Sequence, residues 1–334
     1  MWTPLLILWY LATKEGGTPT MNKHTLYANL DNKQELFLRQ KVIAGSAEAT
    51  LETYKKVFDN INSIVGQLDY ENQSHFELQV LSYFETIFDK LKPATYNIKR
   101  RHLTAYFNFL KDTSQIEDNP VHSMKIRKRK EDNEPRPADT DDLKTMLSAI
   151  NLKTYTGFRD YTFITLIVDT GIRPSECVRL TEEHIDLDHL YINLTSDITK
   201  TSRPRSVPLS NVVAECICKL FDLNHKYFIS ENLFLSETGQ PVQTYVFQKR
   251  LKHYSDKLGI KITPYQLRHY FGTQYLKNQG GNLIYLQKLM GHADIAMTKR
   301  YVQVDKEALS NNHKLATPLQ NVVQRNTRVR KLFK

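Results

Sequence analysis

HLYINLTSDITKTSRPRSVPL, residues 189–209, carries the only clear strand pattern of the sequence. Strand-forming runs lie on both sides of a polar turn between Lys200 and Arg205, which is typical of an antiparallel hairpin. Elsewhere, apolar residues recur mainly at helical spacing. We therefore predict a mainly α fold with a small antiparallel β-sheet.

Helices are predicted on both sides of this hairpin. Upstream, Thr140 is a candidate N-cap for DDLKTMLSAI, and GFRDYTFITLIVDTG is an apolar helix that Gly171 closes. Downstream, helical patterns follow in SNVVAECICKLF and TYVFQKRLKHYSDKLG and through the last third of the chain. A domain at 138–308 is therefore predicted, and it contains no P-loop and no G-x-G-x-x-G motif.

The segment before this domain is predicted to be a helical bundle at 29–125. Ser46 is a candidate N-cap for a helix in SAEATLETYKKVFDNINSIVGQL, and apolar residues recur there at helical spacing. These apolar positions are Leu51, Tyr54, Val57, Phe58 and Ile61. No strand pattern interrupts the segment.

The region between the two domains differs in composition from both. MKIRKRKEDNEPRPADTDD groups basic residues, then acidic residues and two prolines, so a linker is predicted at 126–137. Its basic half either follows a phosphate backbone or is solvated. The basic tail at 309–334 is a nucleic-acid-binding arm, a helix that docks on another subunit, or a solvated tail.

Bulk composition restricts the partners and the compartment. The chain has 334 residues, a net charge of +10 and a pI of about 9.2. The length favours two domains, and the charge favours nucleic acid as a partner. Three cysteines form no disulfide framework, which favours the reducing cytoplasm. Residues 1–28 form a leader, predicted to be disordered, whose apolar stretch lacks a basic signal-peptide start and is too short to span a bilayer.

Two arginines stand at predicted helix starts. In DTGIRPSECVRLT, Arg173 precedes a proline at a helix N-terminus, where an anion is favoured, and Glu176 lies within reach of its guanidinium. In TPYQLRHYFGT, Arg268 again follows a proline at a helix start. Each motif alone also fits an ordinary surface residue, as does Lys200 beside the hairpin turn.

Taken together, these residue types favour a phosphodiester as the substrate. Two arginines, a lysine, one or two histidines and a tyrosine stand without a carboxylate cluster or a Cys/His metal set, which predicts a site without a metal. Guanidinium groups match phosphate oxygens in pairs. A hydroxyl would attack phosphorus while the cations hold the developing negative charge.

Four segments resemble the motifs of the tyrosine recombinases, the phage integrase family of site-specific DNA recombinases. TGIRPSECVRL is similar to the first arginine box, ITKTSRPRSVPL to the hairpin with the family's lysine, QLRHYFGTQYL to the second arginine box, and LMGHADIAMTKRYVQVD to the box that ends in the nucleophilic tyrosine. The resemblance covers most of the chain and is strongest from about 138 to 305. It implies a helical core-binding domain followed by a mixed α+β catalytic domain.

The resemblance also implies catalytic roles. Arg173 and Arg268 would clamp the scissile phosphate. Tyr301 would attack it and leave a 3′-phosphotyrosyl link with a free 5′-hydroxyl, and Lys200 would protonate that leaving oxygen. His292 would donate a hydrogen bond to a phosphate oxygen. No metal or other cofactor is expected.

One position departs from the family pattern. The family usually has a histidine, or a lysine in its place, three residues before the second arginine, and here that position is Tyr265. Either Tyr265 acts as a neutral hydrogen-bond donor, or His292 takes the proton of the nucleophile, or the enzyme is slow or inactive. Supporting, mainly structural roles are implied for Glu176 and His269.

A double-stranded DNA partner with a specific recombination site follows from the resemblance, bound by a homotetramer on two DNA sites. The C-terminal tail would pass between subunits. Contacts to the phosphate backbone are expected from two basic clusters. The candidate DNA-binding residues are Lys99, Arg100, Arg101, Arg127, Lys128 and Arg129.

The expected activity is site-specific recombination in a bacterial-type cytoplasm, at the nucleoid. Integration and excision of a mobile element, resolution of transposon cointegrates and resolution of chromosome dimers all fit. The absence of an obvious arm-binding domain favours a simple, transposon-borne enzyme, and Tyr265 argues against the housekeeping role in chromosome-dimer resolution. One alternative is a DNA-binding protein of the same fold with weak or no activity, which Tyr265 favours. Another is a type IB topoisomerase, which would act as a monomer without a defined site.

Overall fold

The chain forms two compact units, Met1–Asp132 and Asn133–Lys334. The structure is a computed structural model that describes residues 26–131, 136–199, 203–278 and 281–302. Lys200, the tail at 309–334 and most of the predicted leader therefore lie outside the described residues. Of the residues predicted to belong to the leader, Leu26 is described and is buried in the core of the first unit.

The described part of the first unit is helical, as predicted. Its helices are α1 (Asn32–Ile43), α2 (Glu48–Val65), α3 (Gln73–Phe88), α4 (Pro93–Asp112) and the single turn α5 (Pro120–Ser123). The stripe predicted from Leu51 to Ile61 in α2 is buried. It packs into a core rich in aromatic rings, in which Phe37 contacts both Phe58 and Tyr106 edge-on.

The predicted cap of α2 is wrong. The N-cap is Ala47, and no side chain caps the helix. Ser46 instead closes the preceding helix, because its backbone N–H donates to Lys41 O at 3.0 Å across Gly45, which has a left-handed φ of 72°. Because α1 ends directly before α2 begins, Ser46 belongs to the C-terminal turn of α1 and does not cap α2.

The second unit is mixed, with helices around a small sheet. Its elements are α6 (Thr140–Ala149), α7 (Tyr155–Thr170), α8 (Pro174–Cys177), a 3₁₀ turn (Glu182–His184), β1 (Ile185–Asp186), β2 (Tyr191–Leu194), β3 (Arg205–Pro208), α9 (Asn211–Tyr227), α10 (Thr244–Leu258), α11 (Pro264–Lys277), α12 (Leu283–Met290) and α13 (Ile295–Lys299). The strands form an antiparallel sheet in the order β1-β2-β3. The predicted hairpin is thus confirmed, and β1 adds a strand too short to give a sequence pattern.

Two helix ends of this unit were predicted from single residues. Gly171 closes α7 in the left-handed conformation with φ of 64°, as predicted. The prediction for α6 is off by one, because Asp139 is the cap and its carboxylate accepts from the N–H groups of Asp141 and Asp142. Thr140 lies inside the helix, and its hydroxyl donates to Tyr270.

Among the described residues, no helix combines the length and the apolar character that a membrane span requires.

Candidate active site

The helix ends of the second unit bring together residues that lie far apart in the sequence. Arg173 follows the turn that ends α7, and Arg268 lies on α11, which packs against α7. His292 follows the C-terminus of α12, and Tyr301 follows α13. Because Arg268 donates to Gly171 O at 2.5 Å and to Met290 O at 2.8 Å, its guanidinium joins the ends of α7 and α12.

A buried carboxylate lies between two arginines beside this junction. The side chain of Glu176 is fully buried and accepts from Arg173 Nη1 at 2.9 Å and from Arg205 Nη2 at 2.6 Å. Burial opposes its ionisation, but the hydrogen bond and charge of Arg205, together with Arg173, hold the pKa of Glu176 below its ordinary value. The contact between Glu176 and Arg173 was expected from their spacing.

Sequence reasoning missed Arg205. Its Nε donates to Leu289 O at 2.9 Å, so it connects β3 to α12 as well as to Glu176. A usable signal exists, because Arg205 and the buried Val207 lie two residues apart on a strand and therefore share one face. The predicted lysine of the same hairpin, Lys200, is outside the described residues.

Arg268 is almost completely enclosed. Only 6% of the residue is exposed, and Nη2 also donates to His292 Nε2 at 3.0 Å. Burial and the nearby charge of Arg173 lower the pKa of Arg268 to about 9, so the group stays charged at pH 7. A charged guanidinium kept in a confined pocket is suited to bind a phosphate oxygen.

His292 is neutral in this arrangement. Arginine only donates, so Nε2 of His292 is the acceptor and Nδ1 carries the proton that is donated to Thr298 Oγ1 at 2.8 Å. Burial, followed by the charge of Arg268, lowers the pKa of His292 to about 3. For Nε2 to donate to a phosphate, the phosphate must displace the Arg268 contact and the imidazole must move its proton from Nδ1 to Nε2, with Nδ1 then accepting from the Thr298 hydroxyl.

Tyr301 is buried within the site, with 4% of the residue exposed. Its ring lies parallel to the His292 ring, with 6.2 Å between centroids, and covers Gly272 of α11. A Cβ at position 272 would lie 2.8 Å from Cε1 of the tyrosine. Burial raises the pKa of the Tyr301 hydroxyl, against the opposing charge of Arg268. Gly272 was not singled out from the sequence, because a single glycine in a helical pattern indicates only a weaker helix.

The hydroxyl of Tyr301 bonds to a residue that was expected only to support the site. His269 Nδ1 lies 2.8 Å from Tyr301 Oη. The residue three positions before Arg268 is placed differently: Tyr265 is 53% exposed, and no hydrogen bond joins it to Tyr301 among the described residues. The structure therefore brings His269, and not Tyr265, to the predicted nucleophile.

The candidate DNA-binding residues of the first unit separate into two groups. Three make contacts within the unit: Lys99 donates to Asn60 at 2.7 Å, Arg100 to Ile126 O at 2.7 Å and Arg129 to Leu91 O at 2.6 Å. The exposed candidates are Arg101, Arg127 and Lys128. The exposed group is the better placed to reach a phosphate backbone.

Comparisons with known proteins agree with this geometry. Residues 138–308 match the model of the phage integrase family. The tyrosine recombinase XerC of Salmonella typhi is 27% identical over 274 residues, which cover 80% of this chain and 89% of XerC. The tyrosine recombinase XerD of Listeria monocytogenes serotype 4b (strain F2365) is 29% identical over 223 residues, which cover 65% of this chain and 73% of XerD.

A solved structure has the same fold. The Tn1549 transposon integrase in complex with circular intermediate DNA superposes with a TM-score of 0.67 at 22% identity, over 85% of this chain and 99% of that chain. Because the family model spans half of the chain and includes both arginines, His292 and Tyr301, this chain belongs to the phage integrase family: it is a tyrosine recombinase, an enzyme that breaks and rejoins DNA strands.

Proposed function

We propose that this enzyme recombines specific DNA sites through a 3′-phosphotyrosyl intermediate formed by Tyr301. The observation that carries the proposal is the convergence of Arg173, Arg268, His292 and the Tyr301 hydroxyl at the ends of α7, α11 and α12. Attack by Tyr301 Oη on the phosphate forms the Oη–P bond and releases a free 5′-hydroxyl. Attack by a 5′-hydroxyl of the second duplex then reverses the step and joins the strands.

The charges of the site suit this reaction. Arg173 and Arg268 would bind the two non-bridging oxygens, and their positive charge stabilises the negative charge that grows on them in the transition state. His292 would add a donor once the phosphate displaces the Arg268 contact and the ring proton lies on Nε2. Lys200 would protonate the leaving 5′ oxygen, a role that rests on the sequence motif alone.

The biological role proposed is movement of a mobile element by integration and excision, or resolution of cointegrates. Both Xer recombinases and a transposon integrase are similar to this chain, so the likeness supports recombination between two sites without deciding between these roles. The proposed assembly is a homotetramer on two DNA sites, acting in the bacterial cytoplasm. A DNA-binding protein without activity is the second candidate, because Tyr265 replaces the usual histidine and lies exposed.

Suicide substrates distinguish these candidates. Nicked duplexes from the DNA that flanks the gene would be incubated with the purified protein, and the products separated under denaturing conditions. The recombinase proposal predicts an adduct that survives denaturation and is joined to the 3′ end of the cut strand. Specific binding without an adduct at any pH from 6 to 9 would instead support the inactive DNA-binding protein.

Replacing Gly272 by alanine is expected to slow cleavage. The added Cβ meets the Tyr301 ring at 2.8 Å, so the ring and its hydroxyl must move. A displacement of about 1 Å at a reacting group costs up to about 100-fold in rate. Single-turnover adduct formation measures the effect, with Gln274→Ala on the same helix as the matched control. A Gly272→Ala protein that cleaves at the wild-type rate would show that Tyr301 need not lie against α11.

Neutralising the exposed basic pair is expected to weaken DNA binding without affecting chemistry. The double variant Arg127→Gln, Lys128→Gln removes two candidate phosphate contacts, and each contact contributes about one unit to the slope of log K against log salt concentration. Binding titrations at several salt concentrations should show a slope shallower by about two units. The control is Lys56→Gln, an exposed lysine paired with Glu52. Equal slopes for the double variant and the wild type would show that Arg127 and Lys128 do not contact the DNA backbone.

A further inference from the structure

Strand cleavage by Tyr301 requires an acceptor for the phenol proton. Burial raises the pKa of this hydroxyl, so the phenolate is scarce at pH 7. The position that supplies a histidine in the family is occupied by Tyr265, which is exposed and has no hydrogen bond to Tyr301 among the described residues. A tyrosine is also a poor base at this pH.

His292, the other acceptor considered from the sequence, is engaged elsewhere. Its two ring nitrogens bond to Arg268 and to Thr298. Its ring faces that of Tyr301 in a parallel stack, and no hydrogen bond reaches the hydroxyl among the residues that the structure describes. His292 is therefore oriented for the phosphate and not for the phenol proton.

His269 has the required geometry. Its Nδ1 lies 2.8 Å from Tyr301 Oη, within the range that a general base needs. His269 and Gly272 are three residues apart on α11 and share one face, so the tyrosine ring covers the glycine while its hydroxyl meets the imidazole. The charged groups that face the imidazole are Arg268 on the same helix and Arg300 beside the nucleophile, and both favour its neutral form.

We propose that His269 is the general base of strand cleavage, a role that rests on the proposed function of Tyr301. The proton passes from Oη to Nδ1 as the Oη–P bond forms and the bond from phosphorus to the 5′ oxygen breaks. The electron pair leaves on the 5′ oxygen, which takes its proton from the acid of the site, the proposed Lys200. In rejoining, the imidazolium returns its proton to Oη.

Two substitutions separate proton transfer from positioning. In His269→Asn the amide oxygen takes the place of Nδ1 and keeps the hydrogen bond, but it accepts no proton at neutral pH. His269→Ala loses both functions. Both variants are expected to form the adduct at least about 100-fold more slowly than the wild type, the usual contribution of a general base. The control is Tyr245→Phe, at an exposed tyrosine of α10 outside the site, which should keep the wild-type rate. Melting temperature and DNA affinity check that the variants are folded.

Two further readouts identify the step. A substrate with sulfur in place of the bridging 5′ oxygen has a leaving group that needs no proton. It should therefore restore cleavage to a variant that lacks the proposed acid, Lys200. It should not restore cleavage to His269→Asn, which lacks the base. The wild-type rate should also fall as His269 is protonated, below the ordinary histidine pKa of 6.5, because burial and the charge of Arg268 lower its pKa. That fall should be absent in His269→Asn.

The outcomes are distinct. Equal slowing of His269→Asn and His269→Ala, without rescue by the bridging sulfur, supports the base. Wild-type cleavage by His269→Asn, or rescue by the sulfur, overturns it while the function of Tyr301 stands. If the wild type itself forms no adduct, the proposed function fails and the base fails with it.

Discussion

Replacing Tyr301 by phenylalanine is expected to abolish the covalent protein–DNA adduct while the fold and specific DNA binding persist. The hydroxyl is the only group lost, and it is the atom that would bond to phosphorus. The ring keeps its contacts with Gly272 and with the cluster around Phe271, Leu286 and Met290. Losing the hydrogen bond to His269 costs about 1 kcal/mol of folding free energy, so the protein should remain folded.

The measurement is adduct formation on a nicked duplex, with binding affinity measured in parallel. Tyr245→Phe is the matched control, because it removes a hydroxyl from an exposed tyrosine outside the site. An adduct formed by Tyr301→Phe at a wild-type rate would place the nucleophile elsewhere.

The second large effect is expected from Glu176→Gln, and it concerns stability as well as activity. The fully buried carboxylate lies between Arg173 and Arg205, whose side chains are 12% and 10% exposed. Removing its charge leaves two largely buried cations uncompensated, and breaking a buried ion pair costs up to about 3–5 kcal/mol. At about 2–4 °C per kcal/mol, the catalytic unit should melt near 10 °C lower. Cleavage should fall too, because Arg173 loses the group that orients it.

Thermal unfolding monitored by circular dichroism measures this loss of stability, with Glu237→Gln as the control at an exposed carboxylate.

The contribution of Glu176 to the free energy of unfolding also depends on pH. Its folded-state pKa is lowered from 4.5, so the contribution is complete above that value and is lost as the pH falls through the lower folded-state value. The wild-type advantage over Glu176→Gln should therefore shrink in acid. A variant as stable as the wild type at pH 7 would show that the arginines are compensated in another way.

Local patterns predicted much of the fold. The hairpin, the long helices and the left-handed Gly171 follow from residue types at fixed spacings, which act over a few residues. The caps at Ser46 and Thr140 were each placed wrongly by one residue. Ser46 lies in the C-terminal turn of α1, where its backbone N–H donates to Lys41 O. At α6, the carboxylate of the preceding residue, Asp139, accepts from the first free N–H groups of the helix.

Only the residues of the site that belong to the sequence motifs could be predicted. Residue boxes at family-like spacings indicated Arg173, Arg268, His292 and Tyr301. The contacts that define their environment depend on how α7, α11 and α12 pack, and no spacing encodes this. Arg205 reaches Glu176 of α8 from the strand β3, and Gly272 matters only because the tyrosine ring covers it.

The most direct test of the account is to locate the nucleotide that the adduct leaves on the protein. After nuclease digestion, trypsin cuts after Lys306 and yields a peptide ending in YVQVDK, residues 301–306, in which Tyr301 is the only residue with a hydroxyl side chain. We expect mass spectrometry to find the nucleotide on Tyr301, linked through a 3′ phosphate. A nucleotide on another tyrosine, or a link to a 5′ phosphate, would contradict it.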